Sequence, residues 1–404
     1  MTAEPLSEQT IHIVKATAPV LETHGLAIVR RMYERMFENA GIRDLFNQSH
    51  HGETGSQPKA LAAAILAYAQ NIDQLAALAP AVERIAQKHV GLQILPEHYP
   101  YVADALLGAI KDVLGDAATD EVLGAWGEAY WFLAHVLIGR EKQIYQAIET
   151  APGGWTGWRN FRITEKLEES AIITSFILHP EDGALVMQHQ AGQYLTFWLE
   201  IPGHPPLKRN YSISSRPNGE YYRISVKREP DGVASSWLHQ HAEPGTRLKV
   251  APPAGEFFLP AHPERPVVLL SGGVGLTPMI SMLETLSSRH PGTQVHYIHG
   301  TQDGTTHAMK EAVDAAVRAN GNFSSTTFYL LPRADDRAGA DYDHAGLITP
   351  EWLEARTPIA TADYYLCGPR PLLKTCVAGL SHPGVPAPRI HYEFIGPADE
   401  LLAA

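Results

Sequence analysis

The stretch Gly273-Val274-Gly275-Leu276-Thr277-Pro278 follows the apolar run Pro266-Val267-Val268-Leu269-Leu270 and precedes a helical pattern. Glycines let a backbone approach a pyrophosphate closely. Thr277 stands where it would cap the helix, and Pro278 suits a first turn. An exposed helix N-terminus then favours phosphate oxygens, as a dinucleotide site requires. The bland alternative is a tight strand-to-helix turn. Tyr365-Leu366-Cys367-Gly368-Pro369 ends a later strand-like run at the same edge of the expected sheet. Taken alone, it is a strand terminator with a buried thiol. Arg209-Asn210-Tyr211-Ser212 supplies a cation, a flat ring and a hydroxyl. Those types suit a diphosphate joined to a planar redox ring; the alternative is a surface strand with an ordinary tyrosine. His89 continues an apolar helix face after Leu78, Val82 and Ile85. A lone histidine on such a face is more often a satisfied core residue than a metal ligand.

The elements that must position these residues change in texture along the 404 residues. That length predicts two or three domains, each able to bury a core. Residues 1–148 read as helices, with alanine-rich runs such as Leu61 to Ala69 and a break at Gly115-Asp116. Ala151-Pro152-Gly153-Gly154-Trp155 reads as a linker. Residues 149–262 carry short alternating runs, Ile172 to Leu178 and Tyr221 to Lys227 among them, separated by Asp182-Gly183 and Pro217-Asn218-Gly219. They predict a small antiparallel β-barrel. Residues 263–404 alternate strands and helices, which predicts an α/β doubly wound parallel sheet. No internal repeat or low-complexity segment is visible.

A net charge of −12 argues against nucleic acid or an anionic membrane surface as partner. No apolar run is long enough for stable membrane insertion, and the N-terminal residues do not read as a secretory signal. The two cysteines, Cys367 and Cys376, have no metal-ligand spacing. A reducing cytoplasm is therefore expected.

The paired glycine and cysteine motifs, with Arg-x-Tyr-Ser upstream, resemble the ferredoxin-reductase-like superfamily. The resemblance implies FAD at Arg209, Asn210, Tyr211 and Ser212, with a second flavin-contacting tyrosine at Tyr194 in Gly192-Gln193-Tyr194. Ser235, in Gly232-Val233-Ala234-Ser235, would open a helix over Ser236 to His241 toward the diphosphate. Its alternative is a plain N-cap serine. Glu393-Phe394-Ile395-Gly396-Pro397 resembles the family's closing segment over the flavin, usually Glu-x-Phe-Gly-Pro. Here the aromatic, Phe394, stands one place early. The nicotinamide dinucleotide would lie on Gly273, Val274, Gly275, Leu276, Thr277 and Pro278, with Cys367, Gly368 and Pro369 against the nicotinamide. Gly300-Thr301-Gln302-Asp303 ends a strand with an acid and no arginine, so NADH is expected over NADPH.

Ile85-Ala86-Gln87-Lys88-His89, Tyr33-Glu34-Arg35-Met36-Phe37, Asp44-Leu45-Phe46-Asn47, Ala125-Trp126-Gly127 and Gly153-Gly154-Trp155 resemble the flavohaemoglobins. The resemblance spans essentially the whole chain in the right domain order: a globin, a FAD barrel and an NAD(P) domain. It implies His89 as proximal ligand of a haem b iron, with Tyr99 and Glu141 as a relay behind it. Arg140 is a rival partner for Glu141. Tyr33 and Gln57 would face a bound gas, and Phe46, Leu61 and Lys88 would contact the haem. The family's activity is nitric oxide dioxygenation with O2 and NAD(P)H. A haem-based hydroperoxide reductase and a simple NADH diaphorase are the alternatives. A monomer is expected, and a lipid in the haem pocket is left open.

Overall fold

In the computed structural model, which describes residues 5–45 and 56–395 and side chains over 5–45 and 58–395, the helices begin where local chemistry starts them. Ser7 Oγ accepts the Thr10 amide at the start of α1 (Glu8–Ala16). Prolines stand in the first turns of α2 (Ala18–Phe37), α5 (Ala79–Gly91) and α6 (Tyr99–Leu114). Short α3 (Ala40–Arg43) and α4 (Ser56–Gln70) lie between α2 and α5. Thr119 Oγ1 accepts the Val122 amide and opens α7 (Asp120–Thr150), whose first turn carries Asp120 and Glu121. Ile28, Val29, Met32, Ile110, Trp126 and Ala129 are among the buried residues these helices share. Helix α2 packs on α4 and α6, and α5 packs on α7.

The second pattern is an antiparallel sheet of β1 (Arg159–Glu168), β2 (Ile173–Pro180), β3 (Tyr194–Leu199), β4 (Leu207–Ser212), β5 (Tyr222–Lys227) and β6 (Arg247–Val250), with α8 (Val233–His241) before β6. Its order is β4-β3-β6-β1-β2-β5, and an Ile213–Ile224 bridge joins the two ends into a barrel. The third is a parallel sheet of β7 (Val267–Gly272), β8 (Val295–Thr301), β9 (Phe323–Tyr329), β10 (His344–Ala345), β11 (Asp363–Gly368) and β12 (Ile390–Phe394). Helices α9 (Leu276–Arg289), α10 (Lys310–Ala319), α11 (Pro350–Arg356) and α12 (Arg370–Ser381) connect the strands. The order β10-β9-β8-β7-β11-β12 reverses direction across β7, so the ligand crevice lies at the carboxyl ends of β7 and β11.

The chain forms two compact units. One takes in the described residues up to Ala151 and Pro202–Lys208; the other takes in Pro152–Ile201 and the described residues from Arg209 on, so both sheets, apart from the first two residues of β4, fall in the second. Among the described residues, no helix is long and apolar enough to cross a membrane.

Two buried histidines stiffen the second unit. His189 Nε2 meets the Ser215 carbonyl at 3.0 Å, and His299 Nδ1 meets Ser271 Oγ at 2.8 Å. Burial pushes each imidazole down to about 3. The unfolded chain takes up these protons below about pH 6.5, whereas the folded chain resists until about pH 3. Stability is therefore expected to fall as pH drops through that window. Urea midpoints at pH 7 and pH 5 check this, and His299→Gln should flatten the dependence. An unchanged slope would show that His299 contributes nothing to it.

Candidate functional site

In the first unit, the last turn of α5 holds His89. The helix stops just beyond it because Gln93 adopts φ 62°, which lets the Ile94 amide reach the His89 carbonyl at 2.9 Å. From α7, Glu141 projects inward and is only 2 % exposed. His89 Nδ1 lies 2.7 Å from Glu141 Oε1 and 3.1 Å from Tyr99 OH, and Tyr99 OH donates to the same Oε1 at 2.7 Å. A carboxylate acceptor requires the proton on Nδ1, which leaves the Nε2 lone pair as the one that could bind a metal. Burial, then the neighbouring Glu141 carboxylate, pushes the Tyr99 phenol well up, so it stays a donor. Arg140 does not compete: its guanidinium forms a two-pronged pair with Glu83, at 2.6 and 3.0 Å.

Sequence reasoning missed the supports of this cluster. Tyr130 OH donates to the Tyr99 carbonyl at 2.7 Å, and Tyr145 OH donates to the Ile94 carbonyl at 2.8 Å. Tyr145 stands four residues after Glu141 on α7, the spacing of one helix face, which was the available signal. Lys208 was also missed. Its ammonium donates to the carbonyls of Leu92, the cap of α5, at 2.9 Å and of Leu45 at 3.3 Å. Burial lowers that ammonium to about 8.

Val82 and Ile85, on the His89 face, are only half-buried, and Leu61 on α4 is half-buried as well. An anchored imidazole beside half-buried apolar surface fits a haem. Lys88 is exposed. Tyr33 is buried, with its ring centroid 5.5 Å from Phe37. Phe46, the side chain of Gln57, Gly396 and Pro397 lie outside the described residues.

In the second unit, Arg209 and Tyr211 on β4 and Tyr194 on β3 are half-buried, and Tyr211 packs edge-on to Phe197. Burial raises the Tyr194 and Tyr211 phenols and disfavours the Arg209 charge. Glu393 pairs in register with Cys367 and raises both the Cys367 thiol and the Tyr194 phenol, after burial as the larger cause. One carboxylate thus touches electrically both the flavin-type strand and the nicotinamide-type strand. Arg370 lies over the Phe394 ring at 5.0 Å, and Ile395 packs on the core around Leu276. The arrangement of a cation and two part-exposed rings fits an FAD.

Two expectations need correction. Helix α8 begins at Val233 with Gly232 as its cap, not at Ser236. Ser235 is inside its first turn, where its hydroxyl accepts the Glu229 amide at 3.1 Å. Glycine carries no side chain to cap with, so the serine three residues on ties the turn down instead. Thr277 likewise does not cap α9. A short 3-10 turn over Gly273–Gly275 shifts the start, Gly275 is the cap, and Thr277 Oγ1 donates back to the Val274 carbonyl at 3.1 Å. Gly273 has φ 53°, and a Cβ on Gly275 would lie 2.8 Å from Gly368 Cα. The glycine turn and the end of β11 therefore press together, as a dinucleotide crevice requires. Pro369 caps α12.

At the end of β8, Asp303 accepts the Thr305 amide at 2.9 Å and its hydroxyl at 2.6 Å. The Thr305 hydroxyl, then the Thr305 and Thr306 amides, hold the Asp303 carboxyl below its ordinary value; the strand-local sequence carries no arginine, and Arg333, from beyond β9, adds the smallest contribution. The Leu330 and Leu331 amides bond the Thr301 and Gln302 carbonyls, which fixes that approach. Asp335, Asp336 and Asp341 accompany Arg333 and Arg337, so the edge remains net acidic.

Residues 30–137 match the globin family, 160–259 the oxidoreductase FAD-binding domain and 269–378 the oxidoreductase NAD-binding domain. A flavohemoprotein of Xylella fastidiosa strain 9a5c is 56 % identical over 98 % of this chain and 99 % of its own. One from Rhodopirellula baltica is 44 % identical over 98 % of this chain and all of its own. The crystal structure of a flavohemoglobin from Malassezia yamatoensis, with bound FAD and heme, has the same fold, with a TM-score of 0.87 at 24 % identity over 97 % of this chain and all of that one. The FAD/NAD-binding domain of a nitric oxide dioxygenase from Vibrio cholerae is 37 % identical over 59 % of this chain and 99 % of that one, with a TM-score of 0.55.

Proposed function

Since the chain belongs to the flavohemoprotein family, with globin, FAD-binding and NAD-binding parts, we propose that it is a nitric oxide dioxygenase. The overall reaction takes two NO, two O2 and one NADH to two nitrates, NAD+ and a proton. FAD, when bound, accepts a hydride and releases single electrons, and haem binds the gases. The single observation that carries the reading is the convergence of His89 and Tyr99 on one oxygen of buried Glu141. An acceptor on the outer imidazole nitrogen makes the ligand more electron-rich and favours oxygen activation. The 37 % identity to the Vibrio cholerae nitric oxide dioxygenase domain supports it too.

In this reading His89 holds the iron, Tyr99 and Glu141 hold His89, and Tyr33 with Gln57 faces the bound gas. Phe46, Leu61 and Lys88 line the haem. Tyr194, Arg209 to Ser212, Ser235 and Glu393 to Pro397 serve FAD. Gly273 to Pro278 and Cys367 to Pro369 serve the dinucleotide. The working division is 1–148, 149–262 and 263–404, and the setting is a cytoplasmic monomer. The test is nitrate yield from NO, O2 and NADH with the haem- and FAD-replete protein. Stoichiometric nitrate is expected. Faster turnover of organic hydroperoxides would make it a peroxide reductase, and NADH oxidation without either would leave a diaphorase.

Two further outcomes are expected. Tyr33→Phe removes a donor to the bound gas and should speed O2 release about tenfold, since such a bond is worth roughly 1.5 kcal/mol. Stopped-flow O2 release checks it, and an unchanged rate would remove Tyr33 from the site. The acidic edge around Asp303 should make KM lower for NADH than for NADPH. Asp303→Ala should narrow the gap; a lower KM for NADPH in the unaltered protein would overturn the preference.

A further inference from the structure

Helix α9 starts at the Gly273–Gly275 turn, and every residue from Leu276 to Leu283 is buried. A helix buried all round has neighbours on more than one face. Leu276, Met279 and Leu283 share a core with Leu269 and Tyr297 of the parallel sheet, and Ala191, Phe257 and Leu259 from the barrel segment join the same core. The approach on the barrel side is close: a Cβ on Gly192 would lie 2.7 Å from Met282 Cε.

One flank of α9 is polar, and it meets a single short segment. Ser281 Oγ donates to the Ser215 carbonyl at 2.7 Å, the same oxygen that His189 Nε2 reaches at 3.0 Å. Farther along, Glu284 Oε2 accepts the Arg216 amide at 2.9 Å, and its Oε1 accepts Arg223 Nη2 of β5 at 2.7 Å. In the last turn, Arg289 Nη2 donates to the Pro217 carbonyl at 3.1 Å and to Gln188 Oε1 at 2.9 Å. Ser215, Arg216 and Pro217 are thus each held by α9. They continue the chain directly from Arg209-Asn210-Tyr211-Ser212.

Glu284 is the tie with the most directional content. Its two oxygens take separate donors, one from main chain and one from a guanidinium, which fixes angle as well as distance. The Arg223 and Glu284 side chains are only 16 % and 28 % exposed, so water screens the pair less than it would a surface pair. One helix therefore opens at the dinucleotide turn and grips the segment that follows the flavin motif. Hydride transfer needs its donor and acceptor atoms about 3–3.5 Å apart. We propose that Glu284 is a positioning residue for hydride transfer from NADH to FAD, holding the dinucleotide turn in register with the flavin strand. The inference deepens the reductase half of the proposed function and rests on its assignment of the FAD and NAD residues.

The test is anaerobic stopped-flow reduction of the haem- and FAD-replete protein by NADH. Glu284→Ala should lower the limiting rate of flavin reduction about tenfold, part of the roughly 100-fold that a 1 Å misplacement costs. The Kd for NADH and the FAD-to-protein ratio should stay near those of the unaltered chain. With NADH deuterated at the transferred position, the isotope effect on steady-state kcat with ferricyanide should grow, because hydride transfer becomes the slow step. Glu284→Gln keeps the length and one acceptor oxygen, so it should recover most of the rate, and it remains informative if the alanine form fails to fold. A lower melting temperature with the limiting rate and isotope effect unchanged would reduce Glu284 to a structural role and overturn the proposal. A rate that falls only together with FAD content or NADH affinity would overturn it as well. None of these readouts involves NO, so absent nitrate with normal flavin reduction would sink the dioxygenase reading and leave this one standing.

Discussion

Replacing Gly275 by alanine is expected to cut NADH-dependent reduction of FAD about 100-fold, the cost of roughly 1 Å of misplacement at a reacting centre. The added Cβ would press into the Cys367 carbonyl and lie 2.8 Å from Gly368 Cα. Both are backbone atoms at the end of β11, so no side chain can swing aside. The glycine turn and the Cys367 loop must separate, and these are the two elements proposed to hold the dinucleotide. Overpacking of this kind also costs about 1–3 kcal/mol of stability. FAD content should be unchanged, because Tyr194 and Arg209 to Ser212 are untouched, and dithionite should still reduce the flavin normally. Steady-state kcat/KM for NADH with ferricyanide as acceptor, alongside the FAD-to-protein ratio, measures the effect. A value near that of the unaltered chain would mean that the close approach of these two loops plays no part in cofactor binding.

Glu141→Gln should lower peroxide-driven turnover by about 10–100-fold, the usual loss when the partner of a metal-bound histidine is removed. The substitution keeps volume and an acceptor oxygen but deletes the charge. His89 and Tyr99 both direct donors at Glu141 Oε1, so the charge is what the imidazole feels. Haem content should persist, and the iron–histidine stretch in resonance Raman should move to lower frequency. A merely structural role for Glu141 would not move that band. NADH-dependent flavin reduction should stay the same; an equal fall there would assign Glu141 to a different task.

Local patterns explain why some of this was legible beforehand. The Leu78, Val82, Ile85 face predicts a helix that carries His89, and α5 carries it. The apolar run before Gly273 and the alternation around Tyr221 predict strands that β7 and β5 supply. These features depend on neighbours three or four residues away, or two. Pairings across long separations were not legible. In sequence terms Arg140 had only its neighbour Glu141 within reach, and packing of α5 on α7 puts Glu83 before it. Arg333 comes near enough to Asp303 for a weak charge effect because β9 lies beside β8, a fact of strand order that spacing does not carry. Thr277 misled for a subtler reason. A 3-10 turn of glycines moves the cap two residues, from Thr277 to Gly275, and helix ends are set by such local turns.

The first unit is not continuous along the chain, since it takes in Pro202–Lys208 as well as the described residues up to Ala151. This matters to anyone who would dissect the protein. A cut at the glycine-rich linker yields a fragment with His89, Tyr99 and Glu141 but without the ammonium that binds the carbonyls of Leu92 and Leu45. The seam visible in the sequence is thus not the seam of the fold. Chimeras that exchange the helical half between relatives would inherit a mismatched anchor unless residues 202–208 travel with it.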